Sequence, residues 1–229
     1  MDSVERAGLV EKNLDVAKKA AHMIYPRVKE HVELDELIAL ANAGLAEAAT
    51  RFDATKGAQF STFAWYRVQG SIIDGLRKSS NLPRRVWAKL VALRAASDYL
   101  EHRAEREAGA LAKGTMPPEG PQALAQIKDE LSAIRTMYVM SLEAMQESHN
   151  FDKADDAPRA DESIDTSRAG KRLREAIEQL PDKEQKLMRM HYWEGKNLLE
   201  AGEQLGISKS WASRLHAQIV EKLRSLVDE

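Results

Sequence analysis

The residues best suited to chemistry fall in two runs, and neither is laid out for making or breaking covalent bonds. The first is RFDATKGAQFSTFAWYRVQGSIIDGLRKSSNLPRRV. A helix over about 60–78 puts Trp65, Val68, Ile72 and Leu76 on one side and Phe63, Tyr66, Arg67, Gly70, Asp74 and Arg77 on the other. Beyond it, Arg84, Arg85, Lys89 and Arg94 extend a basic stripe. Aromatic rings interleaved with cations suit single-stranded nucleic acid, because bases stack on the rings while the cations hold phosphates. The plainer alternative is that Phe63 and Tyr66 pack beneath another helix.

The second run is NLLEAGEQLGISKSWASRLHAQIVEKLRSL. A short helix over 198–205 is followed by Gly206, which suits a left-handed turn, and by Ser208, a good N-cap for a second helix. That is the helix-turn-helix layout. Projected at about 100° per residue, the second helix places Trp211, Ala212, Leu215, Ile219, Leu223 and Leu226 on one face. Lys209, Ser210, Ser213, Arg214, Ala217 and Gln218 fall opposite, a set of cations, hydroxyls and an amide suited to base edges in a major groove. Trp211 is therefore expected to pack inward, and His216 to border the polar face. Pro181 and Asp182 start a supporting helix, whose Leu187, Met190 and Tyr192 pack under the motif.

These runs need a frame. In LDELIALANAGLAEAATRFD, Leu34, Ile38, Ala41, Leu45 and Ala48 form a core stripe, with Glu36, Ala39, Leu40, Ala43 and Glu47 opposite. Gly44 permits a close helix approach, and an outward Leu40 hints at a partner surface. Apolar residues recur at three and four spacing throughout, and alternating β-branched runs are absent, so the expectation is an all-α chain. KGTMPPEGP (residues 113–121) breaks two helical stretches. Residues 143–165 are rich in acid and read as a linker.

Bulk composition removes other classes. The 229 residues include no cysteine, which excludes disulfides and thiolate chemistry. The six histidines lack metal-ligand spacing, so no metal and no cofactor is expected. No paired carboxylates, triad or phosphate-binding glycine loop points to an enzyme. A net charge of −2 argues against coating nucleic acid through overall basicity, so any DNA-reading surface must be local. No apolar run approaches the roughly 20 residues of a membrane span, which leads us to expect a cytoplasmic protein with no membrane partner.

DELIALANAGLAEAATRFDATKGAQFSTFAWYRVQGSIIDGLRK resembles conserved region 2 of the sigma-70 family of RNA polymerase sigma factors. The run RVQGSIIDGLR followed by LPRRV resembles its flagellar and sporulation-type branch. LPDKEQKLMRMHYWEGKNLLEAGEQLGISKSWASRLHAQIVEKLR resembles region 4 of the same family. The resemblance implies two compact helical domains, one region 2-like (1–82) and one region 4-like with a helix-turn-helix (168–229). Between them lie a degenerate region 3-like helical middle (83–142) and the acidic linker (143–167), placed where the family threads a finger towards the polymerase active centre.

By the same resemblance Glu36, Leu37, Ala39, Leu40 and Asn42 dock on core RNA polymerase. Phe63, Tyr66, Arg67, Gln69, Asp74, Arg77, Arg84 and Arg85 recognise and melt the −10 element, with Phe63 stacking on a flipped base. Gln69 stands where many relatives have arginine. Lys209, Ser210, Ser213, Arg214 and Gln218 touch the −35 element, and Trp211 replaces a usual polar residue. The implied function is an alternative sigma factor, a non-catalytic subunit whose partners are core polymerase, promoter DNA and an anti-sigma factor. The competing reading is a helix-turn-helix regulator that binds DNA without polymerase.

Overall fold

The computed structural model describes residues 3–53, 59–79, 82–147 and 160–228. Among them the chain runs α1 (Ser3–Lys12), α2 (Leu14–Val28), α3 (Leu34–Arg51), α4 (Phe60–Ser79), α5 (Arg84–Ala112) and α6 (Pro121–Glu147). It continues through α7 (Ala160–Glu178), α8 (Asp182–Tyr192), α9 (Leu198–Gln204), α10 (Lys209–Leu223) and α11 (Ser225–Asp228). No helix among the described residues is long and apolar enough to cross a membrane. The chain divides into two compact units, Met1–Val86 with Leu100–Pro117, and Trp87–Tyr99 with Pro118–Glu229. The stretch expected as a degenerate middle holds two long helices, α5, divided between the units, and α6, which belongs to the second, separated by the proline-glycine run after Ala112.

The first unit is held by three helices. Ala20, Ala21 and Ile24 of α2, Leu37, Ala41 and Leu45 of α3, and Ala64, Val68, Ile72 and Leu76 of α4 are fully buried. Small residues let α3 and α4 approach closely. A Cβ added at Gly44 would lie 2.5 Å from Ser71 Cβ and 3.1 Å from the Val68 Cα, so only hydrogen fits there. The reciprocal contact sits one turn away, where Leu40 of α3 covers Gly75 of α4, and the Ser71 hydroxyl donates to the Leu40 carbonyl (3.3 Å). Leu40 is therefore half-spent on packing and is not the free outward leucine its place in the helix suggested.

In the second unit, Leu90 and Tyr99 of α5, Met137 and Met140 of α6, and Leu173 and Ile177 of α7 are buried. Leu187, Met188, Ile219 and Val220, from α8 and α10, are fully buried with them. Met188, not Met190, is the methionine of α8 that turns fully inward. Both ends of the expected acidic linker are helical, since α6 reaches Glu147 and α7 starts at Ala160; residues 148–159 lie outside the described residues. Glu143 is a buried carboxylate facing Arg174 (3.3 Å), and its desolvation raises its pKa despite the cation.

Candidate nucleic-acid interface

In the first unit α4 carries the aromatic and basic side chains. The Phe52 ring, just past the end of α3, meets Phe60 edge-on (5.2 Å) and Phe63 at a tilt (5.7 Å). Phe60 is buried, whereas Phe63 remains half-buried and keeps ring area open to solvent. The Arg67 guanidinium stands 5.6 Å from the centre of the Phe63 ring, as the one-turn offset on a helix allows. From the other side Glu101 of α5 comes within 3.4 Å of Arg67 Nε. Packing therefore takes only part of the Phe63 ring: one side meets Phe52 while the rest stays accessible.

Tyr66 and Asp74 are half-buried on the same helix, and Arg77 is exposed near its end. Gln69 is only 3% exposed, so its amide lies within the unit's own packing and is no surface contact. Arg84 and Arg85 open α5, with Arg85 half-buried. On α3, Glu36, Ala39 and Asn42 are exposed, and Glu36 accepts a hydrogen bond from the Ser79 hydroxyl (3.0 Å). Leu37 is fully buried. Its side chain therefore lies in the core of the unit and does not belong to this surface.

The second unit builds the helix-turn-helix from local signals. Asn197 and Glu200 close a capping box at the start of α9, the Asn197 side chain accepting from the Glu200 N–H (2.8 Å) and Glu200 from the Asn197 N–H (3.1 Å). Gly206 takes φ +68°, the left-handed turn that its type favours. The Ser208 hydroxyl then accepts from the Trp211 N–H (3.2 Å) and starts α10.

The rotation of α10 differs from the sequence projection, for a steric reason. α9 and α10 meet at Gly202 and Ala212, where a Cβ on Gly202 would lie 3.3 Å from Ala212 Cβ and 3.0 Å from the Ile207 carbonyl oxygen. Only a small residue fits at that crossing, so Ala212 is buried and its neighbour Trp211 is turned outward, 49% exposed. The buried stripe becomes Ala212, His216, Ile219, Val220 and Leu223, joined by Ala217. His216 thus lies in the core and not beside the polar face; its Nε2 is 3.0 Å from the Tyr192 hydroxyl. Burial, reinforced by the nearby Asp98 charge, pushes the Tyr192 phenol well above its ordinary pKa.

Opposite this stripe the outward arc is Ser210, Trp211, Arg214 and Gln218, all exposed, with Lys209 and Ser213 half-buried at its margins. The Arg214 guanidinium stands 5.6 Å from the Trp211 ring centre. Sequence reasoning left Trp211 out of this surface and left Glu101 out of the first. Neither carried a local signal: one depends on how two helices cross, the other on a residue more than thirty positions away along the chain.

A capped short helix, a left-handed glycine and a second capped helix with a polar outward arc define a helix-turn-helix protein, here with an aromatic-basic helix in a separate unit. Family models agree on both ends: Sigma-70 region 2 matches residues 9–82, and Sigma-70, region 4 matches residues 176–225. The RNA polymerase sigma-D factor of Bacillus subtilis is 30% identical over 86% of this chain and 80% of its own. RNA polymerase sigma factor FliA is 29% identical in Pseudomonas aeruginosa (95% of this chain, 88% of the relative) and 28% in Escherichia coli K12 (97% and 94%). The chain belongs to the sigma-70 family of RNA polymerase sigma factors.

Proposed function

We propose that the chain acts as an alternative sigma factor of the flagellar-type branch, joining core RNA polymerase and directing it to a promoter set. The observation that carries this reading is the accessible Phe63 ring with Arg67 beside it, inside the stretch that matches region 2. A regulator that only grips duplex DNA has no use for a stacking ring among cations, whereas a protein that holds a melted strand does. On this reading Phe63 stacks on a base displaced from the −10 element. Tyr66, Arg67, Asp74, Arg77, Arg84 and Arg85 line the strand's path, and Gln69 shapes it from beneath. Lys209, Ser210, Ser213, Arg214 and Gln218 meet the −35 element in the major groove.

Docking on core polymerase falls to Glu36, Ala39 and Asn42, with Leu40 at the rim and Leu37 as their buried support. Membership of the flagellar-type branch, which the RVQGSIIDGLR and LPRRV runs and the relatives named FliA support, adds an anti-sigma factor as a further partner. The chain contributes recognition and strand capture, while bond formation stays with the polymerase. Its place of action is that of the polymerase, the cytoplasm.

The test reconstitutes the chain with core polymerase from its own source on a flagellar-type promoter, reading run-off transcript and permanganate reactivity of −10 thymines. A specific transcript with reactive thymines is expected. Failure to bind core in a pull-down would reject the reading in favour of a polymerase-independent regulator.

A further inference from the structure

The outward arc of α10 contains one side chain that the family resemblance does not account for. Trp211 sits in the first turn of the helix, the part that a recognition helix inserts deepest among base edges. Its indole is 49% exposed although tryptophan normally spends such area on packing. The burial of Ala212 against Gly202 leaves Trp211, one residue earlier, on the exposed side of α10. Arg214 lies 5.6 Å from the ring centre, and among the described residues it has no carboxylate set against it.

An indole has one donor N–H and no acceptor, with a large apolar edge. In the major groove the apolar feature that distinguishes one base pair from another is the 5-methyl group of thymine. An arginine fork matches guanine O6 and N7 bidentately, and a ring beside the guanidinium limits the directions it can take. We propose that Trp211 is a specificity-determining residue of the −35 contact, its indole reading a thymine methyl while its ring face holds Arg214 extended to a neighbouring guanine.

This inference rests on the assignment of α10 to the −35 element. The test uses the holoenzyme and a promoter whose −35 element has been selected by it from a randomised library. The selected element should contain a thymine next to a guanine. Replacing each −35 thymine in turn by deoxyuridine removes a methyl group and nothing else. At one position occupancy should fall about fourfold, the worth of one buried methyl. Trp211→Ser should abolish that loss and also relax the neighbouring guanine preference. Trp211→Phe should keep the methyl discrimination in part, and Arg214→Ala should lose the guanine preference while keeping it. Because Trp211 is exposed, each variant should melt within a degree or two of the parent.

A selected element without thymine, a flat deoxyuridine series, or discrimination that survives Trp211→Ser would each overturn the proposal. In those cases a loss of occupancy on scrambling the −35 element would show that the underlying reading of α10 still stands. If scrambling the element changes nothing, that reading fails and the proposal with it.

Discussion

Phe63 with Arg67 on α4 and Trp211 with Arg214 on α10 are one chemical pair in two settings, a guanidinium 5.6 Å from the centre of an aromatic ring in each. On α4 the pair is constrained at both ends. Phe52 pins one edge of the ring, and Glu101 faces the cation at 3.4 Å. On α10 both members are exposed, and the ring is the cation's neighbour. The difference matches the separate tasks proposed for the two pairs. A displaced base has lost its stacking and needs a ring fixed in place to receive it. A base edge in an intact groove needs only reach and a defined direction. On the proposed reading, the carboxylate beside Arg67 would set a threshold, because phosphate would have to outcompete Glu101 for the guanidinium.

The comparison breaks most sharply at Phe63. Phe63→Ala should reduce open-complex formation by roughly 10- to 100-fold, the value of one stacked base, with −35 occupancy retained. Permanganate footprinting beside a −35 binding assay measures both. Loss of the two together would mean that Phe63 mainly supports the fold, and Phe63→Leu, which keeps the Phe52 contact, separates the cases.

The frames beneath the two faces differ in tolerance as well. Gly44→Ala drives a Cβ to 2.5 Å from Ser71 Cβ and 3.1 Å from the Val68 backbone, whereas Gly202→Ala meets its nearest atoms at 3.0 and 3.3 Å. Overpacking of the first kind should cost about 2–3 kcal/mol, and of the second about 1 kcal/mol. Chemical denaturation followed by unit-specific tryptophan probes should rank them in that order.

Glu101→Gln tests the threshold directly. Neutralising the carboxylate releases Arg67 for phosphate, so −10 single-strand affinity should rise a few-fold and its salt dependence should steepen by about one unit. No equivalent substitution should exist for Arg214. If affinity and salt slope both stay unchanged, Glu101 does not restrain Arg67.

The smallest effect distinguishes what lies under each face. Val68 and Ile72 form the buried side of α4, whereas the buried side of α10 includes His216, hydrogen-bonded to Tyr192. The Tyr192 phenol is raised above its ordinary 10.0, so the folded unit retains a proton that the unfolded chain releases. Its contribution is complete below about pH 10 and is lost as pH rises from there towards the raised value. Tyr192→Phe should cost about 1 kcal/mol at neutral pH by depriving His216 of a partner, and should flatten the loss of stability above pH 10. Denaturant titrations at pH 7 and above pH 10 measure both parts.

Much of this was legible in the sequence because it is local. The α4 boundaries, the Ser208 cap and the left-handed Gly206 each depend on a few neighbouring residues, and the structure has them all. The outward placement of Trp211, the burial of His216 and the half-covered Leu40 depend on which pair of residues meets at a helix crossing. A projection of a single helix carries no such information. Leu37 and Gln69 show the same limit from the other side: family resemblance assigns a position, while the helix's own rotation decides whether the side chain at that position reaches solvent.

The division of α10 into a buried stripe and an outward arc has an evolutionary consequence. Ala212, His216, Ile219 and Leu223 answer to the fold, whereas Ser210, Trp211, Arg214 and Gln218 have little part in it. Mutations at those four positions meet weak purifying pressure from stability, so they can accumulate, revert and recombine while the domain continues to fold. A duplicated copy of such a gene could acquire a new set of target promoters through changes confined to a single helical face.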